Sequence, residues 1–381
     1  MPVSTLTRFE SIADIPLNDV NKTYFMPTNG GLIPNDRYLH SLRLQLEGRI
    51  TLPGSAAPTS PTADSQTVFS LIESIIVEGY HRPRGAREQF INVRGSDLMQ
   101  LNRIYLSGLD APMDTVFDLS AAVSGLDFRG IMHLPFVPLN MPAQTQMNHL
   151  LDAPNYEALT LSVRFADDKN LASGGTTPST FTAYGSSSGS PRLRIGGMFA
   201  MGGASRFAGF VPARVWRYYQ ESVGGDFVAG KDKARLFNFP RGWSIRNVLA
   251  KFGTKATDIT SGNNAFATLS NTVASNFLIY QGTNKVIRRW DDLPTLQADA
   301  HAAYGVYPQP GYGLIDFASQ GLIGESLRTQ SLVAGPDGDV DLFLSGDIAG
   351  ASDQAGLFLT EEIRGRSGTL PSRRNQPQPR R

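Results

Sequence analysis

Apolar and polar residues alternate along several stretches of the chain, which is the pattern of β-strands with one buried face. The clearest stretch is residues 37–52 (RYLHSLRLQLEGRITL), in which the three leucines of LRLQL fall on one face. Residues 158–165 (ALTLSVRF) and 339–348 (DVDLFLSGDI) alternate in the same way. Strands of this kind bury their apolar faces by packing sheet against sheet, so the pattern predicts an all-β fold.

Further strands are predicted where apolar and β-branched residues cluster between loops rich in Gly, Pro, Ser and Thr. They lie at residues 68–80, 90–93, 128–136, 234–252, 276–282 and 313–317. Residues 192–227 mix glycine-rich and aromatic pieces, and their pattern assigns no element.

Two short helices interrupt the strands. Residues 97–106 (DLMQLNRIYL) carry apolar residues at helical spacing, with Ser96 as the predicted N-cap. A second helix is predicted to begin at a cap formed by Asp291 or Asp292 and to end at Gly305, since glycine is the residue that most often closes a helix.

The order strand, Ser/Thr-rich loop, strand, helix, strand, turn, strand occurs twice along the chain. In the second half, Trp290 takes the place of Phe90, and Phe317 that of Phe136. The two copies lie much further apart along the chain than the units of a repeat array do. This spacing indicates a tandem pair of domains. The sequence therefore predicts two tandem eight-stranded jelly rolls, with short helices in the connecting segments.

The chain divides into four predicted parts. These are an N-terminal arm at 1–35, a first jelly roll at 36–190 with a long loop or linker at its end, a second jelly roll at 191–365, and a basic, flexible C-terminal tail at 366–381. The arm is interpreted either as a loosely packed leader or as a segment that docks on a neighbouring subunit.

Composition narrows the function classes. Of 381 residues, 41% are apolar and 18% charged, with 38 Gly and 24 Pro, which is typical of a folded chain rich in strands and turns and not of a disordered one. The net charge of +1 gives no global case for nucleic-acid binding. The chain contains no cysteine, which excludes disulfides, thiolate metal sites and cysteine nucleophiles. The first residues lack the pattern of a signal peptide, and no apolar run is long enough to cross a bilayer, so we expect a soluble protein.

The residue patterns of common enzymes are missing from the sequence. The five histidines stand far apart, without the His-x-His pair that a two-domain cupin needs for its metal, and each is interpreted as a surface or packing residue. No nucleophile elbow, Walker A or dinucleotide-binding fingerprint occurs. Glu361 and Glu362 are adjacent, and neighbours on a strand point to opposite faces, so they are interpreted as surface residues at a strand end. We therefore predict no catalytic residue, cofactor or metal.

Two groups of arginines are the remaining candidates for contacts with other molecules. Around a Pro-Gly turn, four arginines form either a solvated loop or an ion-pair patch between subunits; they are Arg82, Arg84, Arg87 and Arg94. The tail is either merely solubilising or a contact to phosphates of nucleic acid or to lipid headgroups, through Arg373, Arg374, Arg380 and Arg381.

The chain resembles the double jelly-roll major capsid proteins of tailless, membrane-containing icosahedral bacteriophages. The resemblance rests on GLIDFASQGLIGESLRTQSL followed by VDLFLSGDI, with a weaker copy around HLPF and ALTLSVRF, and it covers residues 38–363 as a pattern. The resemblance implies homotrimers of six jelly rolls that tile a shell as pseudo-hexagonal capsomers. It also implies a protein made in the host cytoplasm and located in the virion. Its partners would be its own copies, penton or minor capsid proteins and an internal viral membrane, with no small-molecule substrate.

Two other classes fit the same pattern. A trimeric β-sandwich spike that binds a receptor or carbohydrate would also lack catalytic residues. A two-domain glycan hydrolase would need carboxylates that converge in a cleft, and nothing in the sequence favours that arrangement.

Overall fold

The structure, a computed structural model, describes most of the chain. The described residues are 7–18, 22–26, 33–51, 67–82, 85–106, 125–137, 149–165, 180–200, 214–222, 234–238, 244–255, 266–281, 285–317, 332–333, 342–349 and 354–365. Within these ranges the chain forms nineteen strands and two α-helices, which confirms the predicted all-β class.

The first half of the chain contains nine strands and one helix. They are β1 (Thr7–Pro16), β2 (Thr23–Met26), β3 (Leu39–Thr51), β4 (Ile72–His81), β5 (Ala86–Val93), α1 (Gly95–Tyr105), β6 (Leu126–Pro135), β7 (Tyr156–Phe165), β8 (Thr180–Thr182) and β9 (Arg192–Ala200).

The second half contains ten strands and one helix. They are β10 (Arg214–Ser222), β11 (Ala234–Asn238), β12 (Ser244–Lys255), β13 (Phe266–Leu269), β14 (Ala274–Gln281), β15 (Lys285–Asp292), α2 (Leu293–Tyr304), β16 (Tyr312–Asp316), β17 (Leu332–Val333), β18 (Leu342–Ile348) and β19 (Gln354–Gly365).

Eight strands of the first half form two facing sheets with the spatial orders β1-β9-β3-β6 and β2-β7-β4-β5. If these eight strands are numbered along the chain, the orders are 1-8-3-6 and 2-7-4-5, which is the strand arrangement of a jelly roll. The short strand β8 is an addition that pairs with β3.

The second half repeats this arrangement with eight strands of its own. One sheet contains β10, β19, β12 and β16, and the other has the order β11-β18-β14-β15. Numbered along the chain, the orders are again 1-8-3-6 and 2-7-4-5. The short strands β13 and β17 are additions that pair with β12. The predicted pair of tandem eight-stranded jelly rolls is therefore confirmed.

The two jelly rolls share one sheet. Strand β5 of the first pairs in parallel with β10 of the second, through Ile91 opposite Tyr218 and Asn92 opposite Tyr219. This pairing joins a sheet from each unit into a continuous ten-stranded sheet. The relative placement of the two units is thus fixed partly by backbone hydrogen bonds.

The strands at both ends of the first jelly roll differ from the predicted division. Strands β1 and β2 fall in the predicted arm, yet β1 pairs with β9 and β2 pairs with β7 inside this chain's own sheets. Strand β9, predicted to begin the second jelly roll, lies between β1 and β3. Gly196 and Gly197 break the apolar alternation of β9, because the ring of Phe9 occupies the space that a side chain at Gly196 would fill.

Each helix follows the fifth strand of its jelly roll, so α1 lies after β5 and α2 after β15. Asp292 caps α2, with its side chain accepting a hydrogen bond from the backbone N–H of Thr295, and Gly305 closes the helix at φ 75°, both as predicted. The predicted cap of α1 was wrong. The N-cap is Arg94 and makes no side-chain cap bond, so Ser96 already lies inside the helix.

Candidate functional site: the junction between the two jelly rolls

Helix α1 is enclosed between the two jelly rolls. Its residues are all buried except Arg103 and Tyr105, whereas a surface helix usually buries a single stripe. Across from α1 lies strand β12, in which every residue from position 245 to 253 is buried. Leu249 of this strand and Leu359 of its neighbour β19 belong to the apolar core of the first jelly roll. Alternate residues of β12, such as Val248, belong to the core of the second.

A buried ion pair joins α1 to β12. The Lys251 ammonium lies 3.1 Å from Oδ1 of Asp97, and both side chains are almost fully buried. The Tyr312 hydroxyl donates to the same carboxylate oxygen at 2.7 Å. A buried charge is tolerated when it is both paired and hydrogen-bonded, and Asp97 meets both conditions.

A second group surrounds Glu361, which is 0% exposed. Its carboxylate accepts hydrogen bonds from the Tyr105 hydroxyl of α1 at 3.0 Å and from the side-chain amide of Asn247. The Arg246 guanidinium lies 3.5 Å from its other oxygen, and Arg246 is itself fully buried. The carboxylate therefore ties α1 of the first jelly roll to β12 and β19 of the second.

The prediction that Glu361 and Glu362 are surface residues was wrong. Strand β19 is a central strand, hydrogen-bonded to β10 on one side and to β12 on the other, and both carboxylates are buried. Glu362 accepts a hydrogen bond of 2.6 Å from the Thr360 hydroxyl. Sequence reasoning missed this site because its cover, α1, lies more than 250 residues away along the chain. The available signal was β12 itself, since IRNVLAKF does not alternate as a half-buried strand does.

A β-bulge brings Arg246 to the junction. The register of β12 against β19 shifts between Ile245 and Asn247, which leaves Arg246 as the additional residue. A bulge re-aims the side chains around it, and here the guanidinium carbon lies 5.7 Å from the ring centre of Tyr105.

The junction holds Tyr105 and Tyr304 in the protonated form. Burial and the nearby Glu361 carboxylate raise the pKa of Tyr105 well above its ordinary value. Burial and Asp316, which accepts a hydrogen bond from the Tyr304 hydroxyl, raise the pKa of Tyr304 as well. Burial alone lowers the pKa of Arg246, but Glu361 and the tyrosines outweigh that effect and raise it. The arginine stays charged and the phenols stay neutral, so the arrangement suits a fixed structural joint.

Two of the histidines pack against tyrosine rings. His81 lies edge-on against Tyr156 at 5.0 Å between ring centres, and His301 stacks on Tyr307 at 4.0 Å. The described residues contain no group of three or more His, Asp or Glu that could hold a metal ion. None of the described helices is long and apolar enough to span a membrane.

The structure separates the arginines of the predicted patch. Arg82 and Arg87 are exposed near the β4–β5 turn, and Arg87 pairs with Glu78. Arg94 lies at the other end of β5, about 23 Å from Arg87 at a rise of about 3.3 Å per residue. Arg84 lies outside the described residues, as do the four tail arginines Arg373, Arg374, Arg380 and Arg381.

Solved structures share this fold over nearly the whole chain. The crystal structure of the major capsid protein of Sulfolobus turreted icosahedral virus matches with a TM-score of 0.58 at 15% identity, covering 95% of this chain and 96% of that one. The major capsid protein of bacteriophage PM2 matches at 0.56 and 13%, covering 95% and 100%. A quasi-atomic model of the PBCV-1 virus capsid matches at 0.52 and 11%, covering 94% and 95%.

No protein-family model matches the chain, and a comparison with curated proteins finds no match by sequence. The likeness is therefore one of fold. It extends over nearly the whole length of this chain and of each capsid protein compared.

Proposed function

We propose that the chain is the major capsid protein of an icosahedral virus and that its homotrimer is a pseudo-hexagonal capsomer of the shell. The observation that carries the proposal is the near-complete coverage, in both directions, between this chain and major capsid proteins. A match that leaves little of either chain uncovered concerns the whole architecture and not one common sandwich domain.

The junction supports a structural role. A buried ion pair of Asp97 with Lys251 joins the units, a second of Glu361 with Arg246 lies in the second unit beside α1, and a continuous sheet runs through both units. Neither pair places two carboxylates opposite each other for acid and base roles. We propose that the chain is not an enzyme and that its function lies in its interfaces.

The spike or carbohydrate-binding alternative is less favoured. A spike has no need of two jelly rolls fixed side by side. A capsid tile benefits from them, because three copies then present six similar edges to the neighbouring capsomers. We therefore propose that the partners are further copies of the chain, with penton or minor capsid proteins and an internal membrane as additional partners. The protein would be made in the host cytoplasm and located in the virion. A phage host is the preferred assignment, in keeping with the PM2 likeness.

The strand pairings support a revised domain division. We propose that the first jelly roll begins with β1 and ends with β9, and that the second begins with β10 and ends with β19. The connection between them then falls at residues 201–213. The basic tail and the arginines near the β4–β5 turn keep their proposed roles in contacts to phosphates and to other subunits.

Negative-stain electron microscopy of the purified protein tests this function. A capsomer would give compact particles of hexagonal outline with six lobes. Elongated particles, or single two-lobed ones, would contradict a tile and favour the spike.

A further inference from the structure

The ion pair between α1 and β12 brings together two groups that can react with each other, a carboxyl group and a primary amine. The Lys251 Nζ atom lies 3.1 Å from Oδ1 of Asp97. The other buried pair beside α1 uses Arg246 instead, and a guanidinium that stays protonated is not a nucleophile. Lysine is scarce in this chain, with seven among 35 basic residues. A lysine at this position therefore offers chemistry that the arginine does not.

The pair is shielded from water. The side chains of Asp97 and Lys251 are each 1% exposed. Leu249 on β12 and Leu314, its partner on β16, belong to the apolar core of the first jelly roll, as does Leu98 beside the carboxylate. A dry site favours the condensation of an acid with an amine, because water is a product of that reaction. It also makes the neutral acid and amine less costly relative to the two ions, since the ions lose their solvation.

A hydrogen-bond donor lies on the carboxyl group. The Tyr312 hydroxyl donates to Oδ1 of Asp97 at 2.7 Å, and Tyr312 is itself 3% exposed. Tyr312 lies directly opposite Lys251 in the β12–β16 ladder, so one strand pairing positions both the amine and the donor. A donor at this oxygen stabilises the negative charge that develops there when an amine adds to the carboxyl carbon.

A buried acceptor lies one turn further along α1. Gln100 is 2% exposed, and its Oε1 has no hydrogen-bond partner among the residues that the structure describes. Side chains three residues apart on a helix have Cβ atoms about 5–6 Å apart, so Gln100 and Asp97 are neighbours. The ion pair alone does not account for this acceptor. Condensation would supply donors for it, in the water that is released and in the N–H of the new amide.

We infer that Lys251 and Asp97 condense to an isopeptide bond that links the two jelly rolls covalently. The ion pair is the arrangement of the reactants. The inference does not depend on the proposed function, because it concerns a modification within a single chain.

The reaction needs no oxidant, reductant or further reactant. The Lys251 ammonium passes one proton to the Asp97 carboxylate, which gives a neutral amine and a carboxylic acid. The amine nitrogen then forms a bond to Cγ of Asp97, and Oδ1 carries the negative charge beside the Tyr312 hydroxyl. As the carbonyl re-forms, the C–Oδ2 bond breaks, and Oδ2 leaves as water with a second proton from the nitrogen. The products are one amide and one water molecule. Fixed reactants make such a step effectively unimolecular.

The bond would give this chain a permanent cross-link of a kind that its composition otherwise excludes. The chain has no cysteine, so no disulfide can link its two units. An amide between α1 and β12 would close a long loop of the chain and restrict the unfolded state, as a disulfide does. Unlike a disulfide, it would withstand reducing conditions.

The intact mass of the unsubstituted protein, measured under denaturing conditions, tests the bond. We expect a mass lower than that calculated from the sequence by the mass of one water molecule. The full calculated mass would overturn the isopeptide bond and leave both the ion pair and the proposed capsomer in place.

Tryptic peptides locate the missing water. The sequence predicts one branched peptide that joins residues 95–103 (GSDLMQLNR) to residues 247–255 (NVLAKFGTK), since trypsin does not cleave after a lysine whose amine is an amide. A water loss carried by any linear peptide, for example as a cyclic imide at another aspartate, would overturn the assignment.

Two variants provide matched controls. Lys251→Arg keeps a positive charge beside Asp97 but cannot form the amide, so it should have its full calculated mass and migrate differently from the parent protein on a denaturing gel. Lys22→Arg changes an exposed lysine and should still lack one water. A water loss that persists in Lys251→Arg would contradict the bond. If Lys251→Arg does not fold, the mass and the peptides of the unsubstituted protein decide the question alone.

Discussion

At the scale of the residue, the junction depends on charges that have been removed from water. Glu361 is fully buried and accepts from Tyr105 and Asn247, while Arg246 lies beside it. Such a pair contributes little net stability compared with apolar residues of the same shape, but removing one partner leaves the other charge buried and alone. Here the Glu361 carboxylate links α1 of the first jelly roll to β12 and β19 of the second.

Replacing the carboxylate alone should be costly. Glu361→Ala should lower the free energy of unfolding by about 3–5 kcal/mol, since the buried Arg246 then loses its counter-charge. Chemical denaturation measures this, with the exposed Glu157→Ala as control, expected within about 0.5 kcal/mol of the parent protein. The double variant Arg246→Met, Glu361→Leu should recover most of the loss. A cost for Glu361→Ala no larger than the control's would contradict a buried junction charge.

The close packing around Gly130 gives a second prediction at the scale of the residue. A Cβ added at Gly130 would lie 2.3 Å from Cγ2 of Val68 and 2.7 Å from the ring of Phe69, both fully buried. Gly130→Ala should therefore lower the free energy of unfolding by about 1–3 kcal/mol through overpacking. Gly196→Ala is the matched control, because the Phe9 ring that it would meet is partly exposed and can move aside. Equal thermal stability of the two variants would show that the Gly130 site can relax.

At the scale of the element, the helices were the most predictable parts. Helix α2 carries its own start and stop signals in Asp292 and Gly305, both of which act as local backbone rules require. Strand β7 was predictable for a different reason, since buried and less buried residues alternate along most of it, and β3 alternates in the same way from Leu42 to Leu46.

The strands that escaped prediction are those whose character is set by distant partners. Polar and apolar residues do not alternate regularly in β19, because α1 and the core of the second jelly roll bury both of its faces. Nothing in the neighbouring sequence therefore indicates that its glutamates are buried. In β9 the adjacent glycines Gly196 and Gly197 interrupt the alternation of apolar and polar residues, because aromatic rings occupy the space that side chains at these positions would need. The buried junction could be recognised only from the tertiary fold.

The cap of α2 gives a pH-dependent prediction. The side-chain and backbone hydrogen bonds from Thr295 lower the pKa of Asp292 below its ordinary value of 3.8. A depressed carboxylate contributes stability that is fully present above the unfolded-state pKa and is lost as the pH falls through the folded-state pKa. Asp292→Ala should therefore cost about 1 kcal/mol at neutral pH, and the difference from the parent protein should narrow below pH 3.8.

Unfolding measured by denaturant between neutral and acid pH checks the cap. Asp292→Asn keeps an uncharged acceptor at the same position, so it should retain most of the stability at neutral pH and show no such acid-dependent loss at this site. An alanine variant as stable as the parent protein at neutral pH would contradict the capping role.

At the scale of the whole molecule, the chain consists of two jelly rolls of the same strand order joined by one shared sheet and a buried ionic junction. Tiling requires every copy to have the same shape. A double unit whose two halves are joined in this way suits the proposed tiling. The solved structures of similar fold are capsid proteins.

The mass of the purified protein in solution tests this account most directly. Native mass spectrometry or sedimentation equilibrium should give three times the chain mass of 41.4 kDa as the stable species. A homotrimer would support the capsomer and the closure of six equivalent units into a ring. A monomer that persists at high protein concentration would contradict the capsomer.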